Sequence, residues 1–307
     1  MHASILKYFV AVARSGSIRK ASEDLHVATS AVSRQIKKLE DELGTPLFDR
    51  FSDGLRLTTT GKIVLRHARE TLQQYEVMKS DLGDLQGKKT GRVHIACLDS
   101  LAIHFMPTQI MAFHKKHSAV DFRIRTDNYN NIFRFVAEGD VDIGITFDLA
   151  RPQDIKLVHG VPMPLMAIVA RNHPIARLKA VTLQECAQFK LLLQLDNEVM
   201  SSMIAFELAA LDRIGRTLVA TNNQMMLKPL ILSGMGVAFF TPLGLLDELR
   251  AGDVVAVPIA GSHLQNMQVG IVAPRDRQLT HATESVIEFL SQELDKLSRE
   301  IDDIIRK

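Results

Sequence analysis

Residues 29–37, TSAVSRQIK, bring Thr29, Ser30, Ser33, Arg34 and Lys37 to one side of a helix and leave Val32 and Ile36 on the other. Hydroxyls, a guanidinium and an ammonium on one rigid face suit a polyanion with hydrogen-bonding edges. Arg bonds guanine twice, whereas Ser, Thr and Lys suit phosphate or mixed contacts. A solvated helical face is the plain alternative, and the helix alone decides nothing between the two. Further on, Arg50 and Arg56 flank Ser52-Asp53-Gly54, where they are placed to reach a nucleic-acid backbone.

Positioning such a face takes several elements. Residues 4–14 carry Ile5, Leu6, Phe9, Val10, Val12 and Ala13 on a broad helical stripe. Ser17 is a good N-cap for a second helix with Ile18, Ala21 and Leu25 at spacings of three and four. A third runs through Val32, Ile36, Leu39 and Leu43 and stops at Gly44 and Pro46. Neither the second nor the third helix can bury its stripe alone, so they share one core. LFDRFSDGLRLT then alternates apolar and polar residues about a turn, as a two-stranded hairpin does. Helix, helix, turn, helix and hairpin make a winged helix-turn-helix, whose second motif helix enters the major groove. Residues 58–88 follow with Leu65, Ala68, Leu72, Tyr75 and Leu82 on a heptad seam, Lys79 being its polar member. So narrow a stripe predicts a partner helix, and residues 88–91 read as a hinge.

From Arg92 strands alternate with helices, which predicts a largely parallel α/β sheet. RVHIACL, VDFRIRT and VDIGITF form a first set. LMAIVAR, FKLLLQL, TLVAT, GVAFFTP and DVVAVPI form a second, and MQVGIVA with a long final helix returns to the first. The expected division is 1–58, 59–91, a first lobe of 92–163 plus 267–307, and a second of 164–266. Two-lobed folds bind ligands at strand C-termini and helix N-termini. The candidates there are Asp99, Ser100, Asn128 to Asn130, Thr146 and Phe147 from the first lobe, with Asp196, Asn197, Asn222 and Asn223 from the second. Each is also the kind of residue that merely caps a helix or makes a turn. Asp99 disfavours a carboxylate ligand unless a base offsets it.

Other chemistry finds little support. No Gly-rich phosphate loop, nucleophile elbow or metal-ligand cluster occurs, so neither a catalytic residue, a metal nor a cofactor is expected. His114 and His117 stand three apart, but Lys115 and Lys116 oppose a cation, and a solvent-facing helix end is the simpler reading. Cys97 and Cys186 are expected to be free, buried thiols in a reducing cytoplasm. MHASILKYFV has no basic region ahead of a long apolar core, and runs such as 8–13 are too short to span a bilayer. Residues 1–91 carry 15 Lys/Arg against 11 Asp/Glu, while the remainder carries 22 against 24. The excess of positive charge therefore lies with the helix-turn-helix. The final helix repeats Ile287, Leu290, Leu294, Leu297, Ile301 and Ile304 as a seam to the end of the chain. Beyond Leu294 that seam needs another surface, for instance another subunit's.

LKYFVAVARSGSIRKASEDLHVATSAVSRQIKKLEDELGTPLFDR, with LRLTTTG at 55–61, closely resembles the N-terminal domain of LysR-type transcriptional regulators. GDVDIGI (139–145) and SGMGVAFFTP (233–242) extend the likeness more weakly. The resemblance implies a winged helix-turn-helix, a linker helix that makes a dimer, and a periplasmic-binding-protein-like α/β effector domain, often in a tetramer. It implies binding to interrupted palindromes in double-stranded DNA, control by a small-molecule effector between the lobes, and RNA polymerase as a further partner. Ser100, Thr146 and the residue after LLLQ match places where the family often contacts effector. The family opens its recognition helix with Ser-Gln-Pro or Ser-Gln-Ser where this chain has Ala28, Thr29 and Ser30. Ala28 cannot cap, so Thr29 is expected to do so, and the operator preference does not carry over. A solute-binding protein without a DNA role is the alternative, but it leaves residues 1–66 without a use.

Overall fold

The computed structural model describes residues 3–84, 90–194, 217–261 and 263–306. The chain divides into two compact units, Met1–Thr90 with Asp276–His281, and Gly91–Arg275 with Ala282–Lys307.

The first unit contains α1 (Ala3–Ser15), α2 (Ile18–Asp24), α3 (Thr29–Leu43), the hairpin β1 (Phe48–Phe51) and β2 (Gly54–Leu57), and α4 (Thr59–Asp84). Leu6, Phe9, Val12, Ala21, Val32, Ile36, Leu39 and Leu47 close a single core, in which the Phe9 and Phe48 rings lie 5.4 Å apart. Ser17 caps α2 by accepting the Lys20 amide. Two expectations fail at α3. Its N-cap is Ala28, which makes no side-chain bond, and Thr29 is already helical. The Thr29 hydroxyl instead bonds the Ser22 hydroxyl at 2.9 Å, linking α2 to α3. Leu43 is also 41% exposed, because Gly44 at φ 65° turns the chain before another element can cover it. His26, at φ 54°, makes the turn between α2 and α3 in a conformation that few side chains adopt.

The wing is tied down by backbone groups. Glu40 on α3 accepts the Leu47 amide at 2.7 Å, and Gly16 O accepts the Leu55 amide at 2.8 Å. Gly61 in the first turn of α4 is buried against the Leu47 carbonyl. Along α4, Ala68 is buried and Leu65 and Leu72 pack on the core of their own unit. The near half of the expected seam is therefore covered within the chain. Tyr75 and Leu82 are the part of it left open, and Met78, which the seam did not include, is exposed beside them, each by more than 40%.

The second unit has two five-stranded sheets. In the first, β3 (Gly91–Cys97) pairs in parallel with β4 (Val120–Thr126) and β5 (Ile143–Phe147), while β12 (Gln268–Pro274) runs antiparallel to β5 and to β6 (Ile155–Pro162). The helices α5 (Asp99–Ile103), α6 (Phe105–Lys116) and α7 (Tyr129–Glu138) connect the early strands. The second sheet has the order β11-β7-β10-β8-β9. Its strands are β7 (Met166–Ala170), β8 (Leu191–Gln194), β9 (Thr217–Thr221), β10 (Val237–Phe240) and β11 (Val254–Pro258). With it go α8 (Leu183–Cys186), α9 (Gln224–Leu232) and α10 (Leu246–Ala251). Both sheets are mixed rather than largely parallel, since β6, β7, β11 and β12 pair antiparallel.

The last helix, α11 (His281–Arg306), reaches both sheets. Asp295 bonds His159 of β6 at 2.9 Å, and the Ser298 hydroxyl donates to Pro162 O. Two residues further on, Arg250 of α10 grips both oxygens of Glu300, at 2.7 and 3.0 Å. Leu297 and Ile301 are buried, and Ile304 and Ile305 pack on the core of the second sheet. The seam beyond Leu294 thus rests on the chain's own second lobe and needs no other subunit.

Candidate DNA-reading face and ligand cleft

With Val32, Ile36 and Leu39 committed to the core, the remaining face of α3 is fixed in direction. Arg34 and Lys37 are exposed there and make no hydrogen bond or ion pair among the described residues. Ser30 is exposed and Ser33 half-buried. Thr29 is exposed, although its hydroxyl is engaged with Ser22. On the wing Arg50 is exposed, while Arg56 bonds Asp53 at 2.7 Å and lies 4.8 Å from the centre of the Phe51 ring. Both members of that ion pair are more than 60% exposed, so water screens it and a phosphate can compete for the guanidinium.

In the second unit a cleft open to solvent lies between the C-terminal ends of strands from both sheets. Asp99, Ser100, Asn128 and Phe147 line it, as their positions after strands suggested. Asn128 also caps α7, accepting the Asn131 amide at 3.0 Å. Thr146 is fully buried and outside the lining, and its hydroxyl has no partner among the described residues. Asn222 is exposed, also outside the lining, and its neighbour Asn223 caps α9. Asp196 and Asn197 fall outside the described residues. Tyr129, within the candidate stretch 128–130, lines the cleft as well, which further gains Asp127, Gln194, Gln224 and Thr241. Asp127 and Thr241 each directly follow a strand, so the rule that selected Asp99 also selects them. Gln224 opens a helix, and no pattern in the sequence sets it apart.

An unpartnered buried hydroxyl carries the full cost of its lost water, about 1–3 kcal/mol. Thr146→Val keeps the shape and removes that cost. It is therefore expected to raise stability in denaturant titrations by about 1 kcal/mol.

Burial and then the charge of Asp99 push the Cys97 thiol up to about 12; burial and then Glu185 do the same to Cys186. Neither is a ready thiolate, so neither is suited to sensing oxidants. His117 is half-buried and stacks on Phe113 with ring centres 4.6 Å apart, so only His114 of that pair faces solvent. No group of three potential metal-ligating side chains occurs among the described residues, and none of their helices is long and apolar enough to cross a membrane.

Residues 4–62 match the bacterial regulatory helix-turn-helix model of the lysR family, and residues 86–295 match the LysR substrate binding domain. The chain belongs to the LysR family of transcriptional regulators. It is 29% identical over 303 residues, 96% of this chain and 98% of the other, to the transcriptional dual regulator GltC of Bacillus subtilis strain 168. It is 27% identical over 296 residues, 95% of this chain and 97% of the other, to the RuBisCO operon transcriptional regulator of Allochromatium vinosum. Among solved structures, a full-length OxyR variant from Pseudomonas aeruginosa aligns with a TM-score of 0.71 at 20% identity, covering 95% of this chain and 94% of that one. Full-length CbnR in complex with its target DNA aligns at 0.58 and 19% identity, covering 95% and 99%. These structures share the fold of this chain.

Proposed function

We propose that this regulator reads its operator through α3 and the wing, with Ser30, Ser33, Arg34 and Lys37 in the groove and Arg50 and Arg56 on the backbone. Thr29 acts beside them through its bond to Ser22. The observation that carries this reading is the pair of unengaged cations, Arg34 and Lys37, held opposite a closed apolar core. Arg34→Ala is expected to weaken operator binding by about 1–3 kcal/mol and to relax preference at one base. Arg56→Ala weakens all sequences alike and lowers the salt dependence. Titrating labelled operator and scrambled duplexes at two salt concentrations separates the two effects. Unchanged affinity in both variants places the DNA face elsewhere.

Promoter binding responds to a small molecule in the cleft, with Asp99, Ser100, Asn128 and Phe147 as contacts and Thr146 as a support behind Phe147. The protein works in the cytoplasm, without catalysis, metal or cofactor, and RNA polymerase is a further partner. Residues 1–58 bind DNA, 59–91 link, and the two lobes are 92–163 with 267–307, and 164–266. Two copies join along α4 to meet an interrupted palindrome, and pairs of dimers form a tetramer. Tyr75, Met78 and Leu82, at spacings of three and four, support a helix partner. Leu82→Asp places a charge on that open stripe and is expected to yield monomers by light scattering, with half-site affinity retained. A dimeric variant removes the far half of α4 from the interface.

A further inference from the structure

The cleft also states what charge its ligand should carry. Among the described lining residues the only charged side chains are Asp99 and Asp127. Asp99 has no ion pair or hydrogen bond to its carboxylate among the described residues. Asp127 is held in place through one oxygen, Oδ1, which accepts the Asn128 amide at 2.9 Å and the Asn131 side-chain amide at 2.7 Å. Its other oxygen has no such partner among those residues. The Asp99 charge already reaches inward, where it adds to burial in raising the Cys97 thiol.

A second observation is independent of the carboxylates. Ser100, Tyr129 and Thr241 line the same cleft at 8%, 2% and 4% exposure, and none of their hydroxyls has a hydrogen-bond partner among the described residues. These side chains are held by burial while their hydroxyl oxygens stay open to the cleft, so they are placed to bond the polar atoms of a ligand there. They come from both sheets, Ser100 and Tyr129 from the first and Thr241 from the second. Leu98, Phe147 and Phe240 give the same space an apolar wall.

Resting on the reading of this cleft as the effector site, we propose that its ligand is a small organic cation, an amine or guanidine with an apolar portion. Asp99 and Asp127 serve as its counter-ions, and the Ser100, Tyr129 and Thr241 hydroxyls accept from its N–H groups. A carboxylate or phosphate in the same place brings like charges together in a partly dry space and is repelled. A neutral ligand of the same shape leaves the carboxylates unmatched.

The test uses full-length protein with benzylamine, benzyl alcohol and benzoate, which share a skeleton and differ in charge, and with agmatine as a guanidine. Calorimetric titration at millimolar probe is expected to show a cation binding at least about tenfold more tightly than the alcohol or benzoate, as charge-assisted bonds require. Asp99→Asn should remove most of that preference, and Thr241→Val should weaken the cation without inverting the order. Benzoate or the alcohol binding as tightly as the cations, and losing affinity in Thr241→Val, overturns the ligand class and leaves the cleft as the site. Cation binding that neither variant changes lies outside the cleft and overturns the proposal together with the reading of the cleft. Failure of both cations to bind correctly folded protein overturns the ligand class as well.

Discussion

Ending the chain after Leu294 should lower the melting temperature of the ligand-binding unit by on the order of 10 °C or more. The truncation strips away Leu297 and Ile301, both buried, together with Ile304 and Ile305 from the core of the second sheet. Each fully buried aliphatic side chain stabilises by about 1.5–3 kcal/mol, so the first two alone account for about 3–6 kcal/mol. In a unit of this size 1 kcal/mol moves the midpoint by roughly 2–4 °C. The ion pairs add less, because Glu300 and Arg250 are both about half exposed. Scanning calorimetry of full-length and truncated protein measures the shift. An unchanged midpoint makes the last turns of α11 an ornament of the fold.

Gly61→Ala should disable the DNA-binding unit with nearly as large an effect. A Cβ at this position collides with the Leu47 carbonyl oxygen and comes within 2.9 Å of Leu57 Cδ2. The carbonyl is backbone and cannot rotate aside. Moreover, it accepts the Thr58 amide at 3.0 Å, so displacing it breaks the join between wing and α4. Overpacking of this kind costs about 1–3 kcal/mol, and more where backbone must move. Operator binding should fall to the non-specific level, while probe binding in the cleft stays as it was. Circular dichroism and operator titration of the variant decide the matter, and wild-type affinity means that the wing shifts without harm.

The three helices, the hairpin and nine of the ten strands of the second unit were legible in the sequence, because their apolar periods are strong. The missed strand, β6, ends in Gly160 and Pro162, which read as breakers. Its pairing with β12 across 106 residues or more is a tertiary fact that no local pattern carries. The same limit explains α4. Period alone marks Leu65, Ala68 and Leu72 as apolar, yet it cannot say that α1 and the core of their own unit cover them. It also explains Thr29, whose hydroxyl is diverted by Ser22 seven residues earlier. Pro107 does not interrupt α6, since it stands in the first turn, where a proline gives up an amide the helix does not use. The cleft was half legible: residues just after strands, Tyr129 among them, could be selected by position, whereas Gln224 arrives with its helix.

The anchoring of α11 in both lobes bears on how the protein is made. The elements of the DNA-binding helices are complete by residue 84, but the second sheet has its cover only when residues 297–305 arrive. At 5–20 residues per second, the ribosome needs on the order of 10–40 s to add the intervening stretch. Throughout that interval Met166, Ile168, Leu192 and their neighbours lack their final lid. A nascent regulator therefore has its DNA-reading helices ready well before its sensor can close. Chaperones have the most to hold until residues 297–305 arrive, and a chain stopped after Leu294 leaves the second sheet without that cover.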